Sequence, residues 1–209
     1  MCDVTPLGLG RDVAALRVAS AASGTHVVTA LGIYSDYTWP AAFRQASEDE
    51  KVQFLIDAAD KTGAAFFGEI ATHNEPHGDW RRYVLLAHEE EMLRAVGRAA
   101  VASGRTISTH ASMGRAGIAQ LDALAAVPEV DMRRVIIGHC DTVAHPDASL
   151  DYDYYHRILH TGATVPVPLN MSLCLSLSVS LCLNLSVFLS LPYLSPLFVA
   201  NNRAGAGRV

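Results

Sequence analysis

Basic clusters are missing from this sequence. Its sixteen Lys and Arg residues, set against twenty-one Asp and Glu, give a net charge of −5. They form no run longer than the pairs Arg81-Arg82 and Arg133-Arg134. Charge-driven binding to nucleic acid or to an anionic membrane is therefore not expected. Cysteine is sparse as well: Cys2, Cys140, Cys174 and Cys182 show no CxxC or zinc-ribbon spacing. They read as buried or incidental thiols of a reducing compartment. The first residues, Met1 to Pro6, lack the basic and apolar regions of a signal peptide, so a cytoplasmic location is expected. Charged residues make up only 18% of the chain, but half of it is apolar, which excludes a disordered chain. At 209 residues it can build one substantial core. It is short of the ~250 residues of a usual (β/α) barrel.

One further absence divides the chain. From Thr164 to Asn202 there is no charged residue, and Asn170 to Leu191 alternates Leu or Val with Ser, Cys or Asn almost strictly. A single strand of that length is rare. The uncharged run exceeds the ~20 residues of a membrane span. A polar residue at every second position makes a poor lipid-facing helix, however, and Pro192 and Pro196 break its end. A repeated CT dinucleotide read in triplets also encodes Leu-Ser without end, and single-base variants give Val, Cys, Phe and Pro. The expectation is an aberrant, low-complexity tail over residues 164–209, non-native or disordered, as translated intronic or frame-shifted sequence would be.

Before that tail, short apolar runs alternate with amphipathic stretches. The runs are His26–Leu31, Ala64–Ile70, Thr106–His110 and Arg134–His139. Continuous apolarity over so few residues predicts parallel strands buried on both faces. Between them, Glu50–Ala59 and His88–Ala102 carry apolar residues at helical spacing. Ser47 followed by Glu50 has the form of a capping box, and Gly63 and Gly104 stand where helix C-caps would hand over to the next strand. Repeated strand, loop and helix predicts an α/β fold of βα units.

In a (β/α) barrel the C-terminal ends of the strands converge on the active site. The second, third and fourth predicted strands end in Glu69, His110 and His139. Neighbouring parallel strands lie ~4.8 Å apart, so these side chains are within reach of one ion. A carboxylate and two imidazoles make a three-ligand zinc set with a position left for water, which is hydrolysis chemistry. Glu69 inside an apolar run also needs a cation, because an unpaired buried carboxylate is costly. His73 and His77 are expected in a solvated loop, with a place along the substrate pocket as the alternative, His26 at the opposite end of its strand, and His88, His145, His156 and His160 on the surface.

The segments Asp3–Asp12, Gly68-Glu69-Ile70, Ile107–His110 and Val135–Asp141, taken in order, resemble the phosphotriesterase family of the amidohydrolase superfamily. The resemblance covers about residues 2 to 163. It implies a TIM (β/α) barrel with two divalent metals, zinc by expectation, that hydrolyses ester, lactone or phosphotriester bonds in small molecules. It further implies Glu69 as the acidic bridge and catalytic residue, His110 and His139 as metal ligands, and Tyr34 at the edge of the substrate pocket. The family's His-x-His pair and its metal-binding aspartate on the eighth strand have no match here. The expectation is thus an incomplete barrel over roughly strands 2–7. Its domain would occupy residues 1–163, the second metal site would lack most of its ligands, and solubility and activity would be impaired by open edges. A non-catalytic metal-binding protein and a membrane-tethered one stay open as alternatives.

Overall fold

The computed structural model describes residues 1–73, 80–110, 115–140, 148–166 and 188–189. In chain order its elements are β1 (Cys2–Asp3), α1 (Val13–Ser23), β2 (Val28–Ile33), α2 (Ala41–Gln45), α3 (Glu48–Thr62), β3 (Phe66–Ala71) and α4 (Ala87–Ser103). They continue with β4 (Thr106–His110), α5 (Gly117–Ala125), β5 (Val135–Ile137), α6 (Ala148–His160), β6 (Val165–Pro166) and β7 (Phe188–Leu189). Five strands form one parallel sheet in the order β1-β2-β3-β4-β5. Sequential parallel order with helices in the crossovers is the arrangement of a partial TIM barrel. The four apolar runs became β2 to β5. The two-residue edge strand β1 was not anticipated, nor was α1.

Backbone pairing reaches past β5. Ile137 N–H donates to the Thr164 carbonyl at 2.9 Å, and Thr164 N–H donates to Val135 at 2.8 Å. Val165 is buried. Parallel pairing therefore includes Thr164, after which β6 pairs antiparallel with β7. Residues 167–187 and 190–209, with Cys174 and Cys182, lie outside the described residues, as do His77 and His145. Among the described residues no helix is long and apolar enough to cross a membrane.

The core lies between the sheet and the helices that cover it. Leu31, Phe67, Ile70 and Ile107 from the strands pack with Leu55 of α3, Met92, Leu93 and Val96 of α4, and Leu124 of α5. Local chemistry fixes the helix ends. The Ser47 hydroxyl accepts from Glu50 N–H at 3.4 Å, while the Glu50 carboxylate accepts from Ser47 N–H at 2.8 Å, closing the predicted capping box. Gly63 and Gly104 end α3 and α4 in the left-handed region, as their positions implied.

Candidate metal centre

The site begins with an irregularity in β3. Between Phe67 and Ile70 this strand uses one residue more than its partners, for Phe67 and Ile70 pair with Leu31 and Ile33 on one side and with Ile107 and Thr109 on the other. An extra residue of this kind re-aims a side chain, and here it carries Glu69. Glycines make the room. A Cβ on Gly32 would sit 2.6 Å from the Glu69 carbonyl oxygen, and one on Gly138 would sit 2.3 Å from that of Thr109.

Glu69, His110 and His139 come together. His110 Nδ1 lies 3.0 Å from Glu69 Oε2, and His139 Nε2 lies 3.5 Å from Glu69 Oε1. The two imidazole rings meet edge to face at 4.3 Å between centroids. One ligand atom from each residue can be chosen so that all lie within 4.8 Å of one another. Ligands of a tetrahedral zinc stand ~3.3 Å apart, given bonds of ~2.0 Å, and the two carboxylate–imidazole distances bracket that value. His110 ends β4 as expected. His139 does not end β5: it stands two residues beyond Ile137, in a turn, with φ of 57°. A left-handed non-glycine residue is uncommon and gathers at functional positions.

The donor set passes a test made on the protein itself. His110 Nδ1 is buried and makes no hydrogen bond, although it is at contact distance from the Glu69 carboxylate, because the direction is wrong. A cation held by both groups would satisfy that nitrogen. The opposite nitrogen, Nε2, is 2.8 Å from the Tyr34 hydroxyl. Were Nδ1 to hold a cation, Nε2 would carry the ring proton and donate it to the Tyr34 hydroxyl, which would fix the ring. Burial raises the Tyr34 phenol above its usual range, and Glu69 and Tyr37 push it the same way. Tyr34 is thus neutral and in hydrogen-bond contact with the candidate ligand His110. For Glu69, burial pushes the carboxyl upward, but the close imidazoles of His110 and His139 outweigh it and hold the group down at about 2.

Comparisons with known proteins bear on this geometry. The Phosphotriesterase family profile matches residues 1–167. This chain belongs to the phosphotriesterase family. It is similar to a phosphotriesterase homology protein of Mycobacterium tuberculosis (strain CDC 1551 / Oshkosh), 31% identical over 174 residues, covering 77% of this chain and 49% of that protein. A phosphotriesterase homology protein of Escherichia coli (strain K12) is 29% identical over 145 residues, covering 66% of this chain and 47% of the relative. The chain therefore spans about half the length of the curated relatives it matches. Among solved structures, the Escherichia coli phosphotriesterase homology protein, crystallised with phosphate in its active site, superposes with a TM-score of 0.66 at 28% identity, covering 78% of this chain and 53% of that one. A mutant PTE-like lactonase from Deinococcus radiodurans superposes with a TM-score of 0.61 at 23% identity, covering 81% of this chain and 52% of its own, and speaks to the fold alone.

Not every expectation for this family member's histidines holds. His73 is not a solvated loop residue. Its Nδ1 is 2.8 Å from the Glu89 carboxylate, and its ring stacks on Tyr83 at 4.8 Å. Glu89, on α4, is buried. His156 and His160 are exposed, and His88 is half-exposed near Asp36. Two buried polar residues beside the site, Thr72 and Gln120, were not singled out. For Gln120 a signal existed: it is an amide among Gly117, Ile118, Ala119, Leu121 and Ala123, in a helix that is otherwise nearly all apolar.

Proposed function

We propose that this protein is a zinc-dependent hydrolase acting on ester, lactone or phosphotriester bonds of small molecules in the cytoplasm. The observation that carries the reading is the convergence of Glu69, His110 and His139 at the C-terminal ends of adjacent strands. Membership of the phosphotriesterase family supports it. On this reading the catalytic barrel occupies residues 1–163, with the pairing at Thr164 as its edge, and the Leu/Ser-rich tail that follows is not part of it. Glu69, His110 and His139 would hold a divalent cation, which would supply Lewis acidity for attack of water on a carbonyl or phosphoryl centre. Glu69, ionised at all working pH values, offers the negative charge that a dication needs. The Tyr34 hydroxyl orients the His110 ring and borders the substrate.

A second reading is favoured by one feature of the site. Among the described residues the converging groups include a single carboxylate, and on this reading that carboxylate is a ligand rather than a separate proton acceptor. A protein that binds metal without turnover is consistent with that. Purified full-length chain should contain stoichiometric zinc by mass spectrometry, and Glu69→Ala or His139→Ala should lose it. Hydrolysis of an aryl ester, a lactone or a phosphotriester that disappears with the metal supports the enzyme; retained metal without turnover supports the binder. Metal content that is unchanged in both variants overturns the site.

A further inference from the structure

We infer that Gln120 is a positioning residue for His110, fixing the backbone from which this imidazole reaches the metal; the inference rests on the metal reading just given. His110 is the last residue of β4, so the ladder that orders the rest of the strand ends with it. Its carbonyl oxygen instead accepts from two donors, Thr72 N–H at 3.3 Å and Gln120 Nε2 at 3.2 Å. Gln120 reaches there from α5 and is fully buried. Its other amide hydrogen goes to Thr72 Oγ1 at 2.9 Å.

The orientation of that amide is forced. The His110 carbonyl can only accept, so Nε2 must face it, and Oε1 is left buried with no hydrogen bond. An unmade bond at a buried acceptor destabilises a fold. An apolar side chain of similar volume would fill the space without that cost. What the amide contributes is its pair of donors at the end of β4.

Those donors belong to a longer buried chain. The Tyr83 hydroxyl is 3.0 Å from Thr72 Oγ1 and 2.7 Å from the His73 carbonyl oxygen. Glu89, on α4, takes the His73 N–H, pairs with the His73 ring and also accepts from Leu86 N–H at 3.0 Å. Two helices thus hold the strand end through one polar network. Meanwhile the His110 ring is held at Nε2 by Tyr34 and presents Nδ1 to Glu69. A ligand set needs its side chains held to within about 0.5 Å, and backbone anchoring at His110 is where Gln120 acts.

Cobalt(II) is the probe, because its visible bands report ligand geometry as well as binding. Full-length wild-type protein, Glu69→Ala, Gln120→Met, Thr72→Ser and Thr72→Val are titrated with cobalt, with circular dichroism and thermal midpoints measured alongside. Gln120→Met keeps the shape and removes both donors. It should bind cobalt roughly ten- to a hundred-fold more weakly, with shifted bands, while its metal-free fold is kept. Thr72→Ser should behave as wild type, and Thr72→Val should weaken binding. A role confined to stability would lower the thermal midpoint and leave the affinity and bands of the folded protein alone, and that result overturns the inference. Should Gln120→Met not fold, equal cobalt affinity in Thr72→Ser and Thr72→Val overturns it instead. Wild-type protein that binds no cobalt, or binds it as well as Glu69→Ala does, brings down the metal reading itself, and this inference with it.

Discussion

A carboxylate set between two imidazoles is stabilised in its charged form by whatever positive charge they carry. With its carboxyl held at about 2 against a usual 4.5, Glu69 stabilises the fold when ionised, above pH 4.5, and that contribution is lost as pH falls through about 2. In metal-free protein the term is at most about 3 kcal/mol. Urea midpoints measured from pH 5 downward should fall more steeply for wild type than for Glu69→Gln; parallel slopes would show that the pair with His110 and His139 does not form in solution. Tyr34 supports the same ring from its other side. Removing its hydroxyl in Tyr34→Phe should weaken zinc binding about tenfold, by analogy with other hydrogen-bonded metal histidines. A competition titration against a chromogenic chelator reads this directly, and unchanged affinity would mean that the ring is fixed by packing alone.

Elements place these residues, and two of the placements can be tested by small changes. Ser47→Ala removes the hydroxyl that caps α3 and should cost about 1 kcal/mol in urea denaturation, with the site unaffected. Gly32→Ala should act the other way, disturbing the site more than its size suggests. Its new methyl would meet the Glu69 and Gly68 backbone, which cannot rotate aside. The cost should be about 1–3 kcal/mol, accompanied by loss of zinc. Most of this scale was legible in the sequence, because β2 to β5 are short apolar runs and the caps of α3 and α4 have residue-specific chemistry. The acid and two histidines were legible too, since strand ends in a βα array fall at one end of the sheet. What escaped was whatever depends on distant partners. Glu89 lies sixteen residues from His73 and turns an apparent loop histidine into an anchored one. The turn at His139 follows the close approach of Gly138 to Thr109 of β4, which no local pattern encodes. Strand β1 is two residues long, too short for periodicity to register.

Across the whole molecule burial is uneven, and stability should follow it. Helix α4 buries eight of its residues, among them Met92, Leu93 and Val96, between β3, β4 and the neighbouring helices. Helix α1 buries none. It lies beside a groove of about 460 Å³ lined by Val13, Leu16, Ala21, Val28 and Ala65, and Val18 on it is 70% exposed. Its ends are well made: Asp12 caps the first turn at 2.9 Å from Ala15 N, and Gly24 closes the last in the left-handed region. Caps, however, contribute only about 1 kcal/mol each, and an eleven-residue helix is marginal without a buried face. Local opening of α1 therefore exposes little apolar surface and should need far less free energy than opening α4. Hydrogen exchange followed by mass spectrometry should show amides of α1 and β1 exchanging orders of magnitude faster than those of α4, β3 and β4, with zinc slowing β3 and β4 further and leaving α1 unchanged. Because β3 and β4 carry Glu69 and His110, this expectation puts the candidate metal site on the slowest-exchanging of the described elements. Equal protection of α1 and α4 would mean that α1 is covered in solution, by another copy of the chain or by residues outside those described.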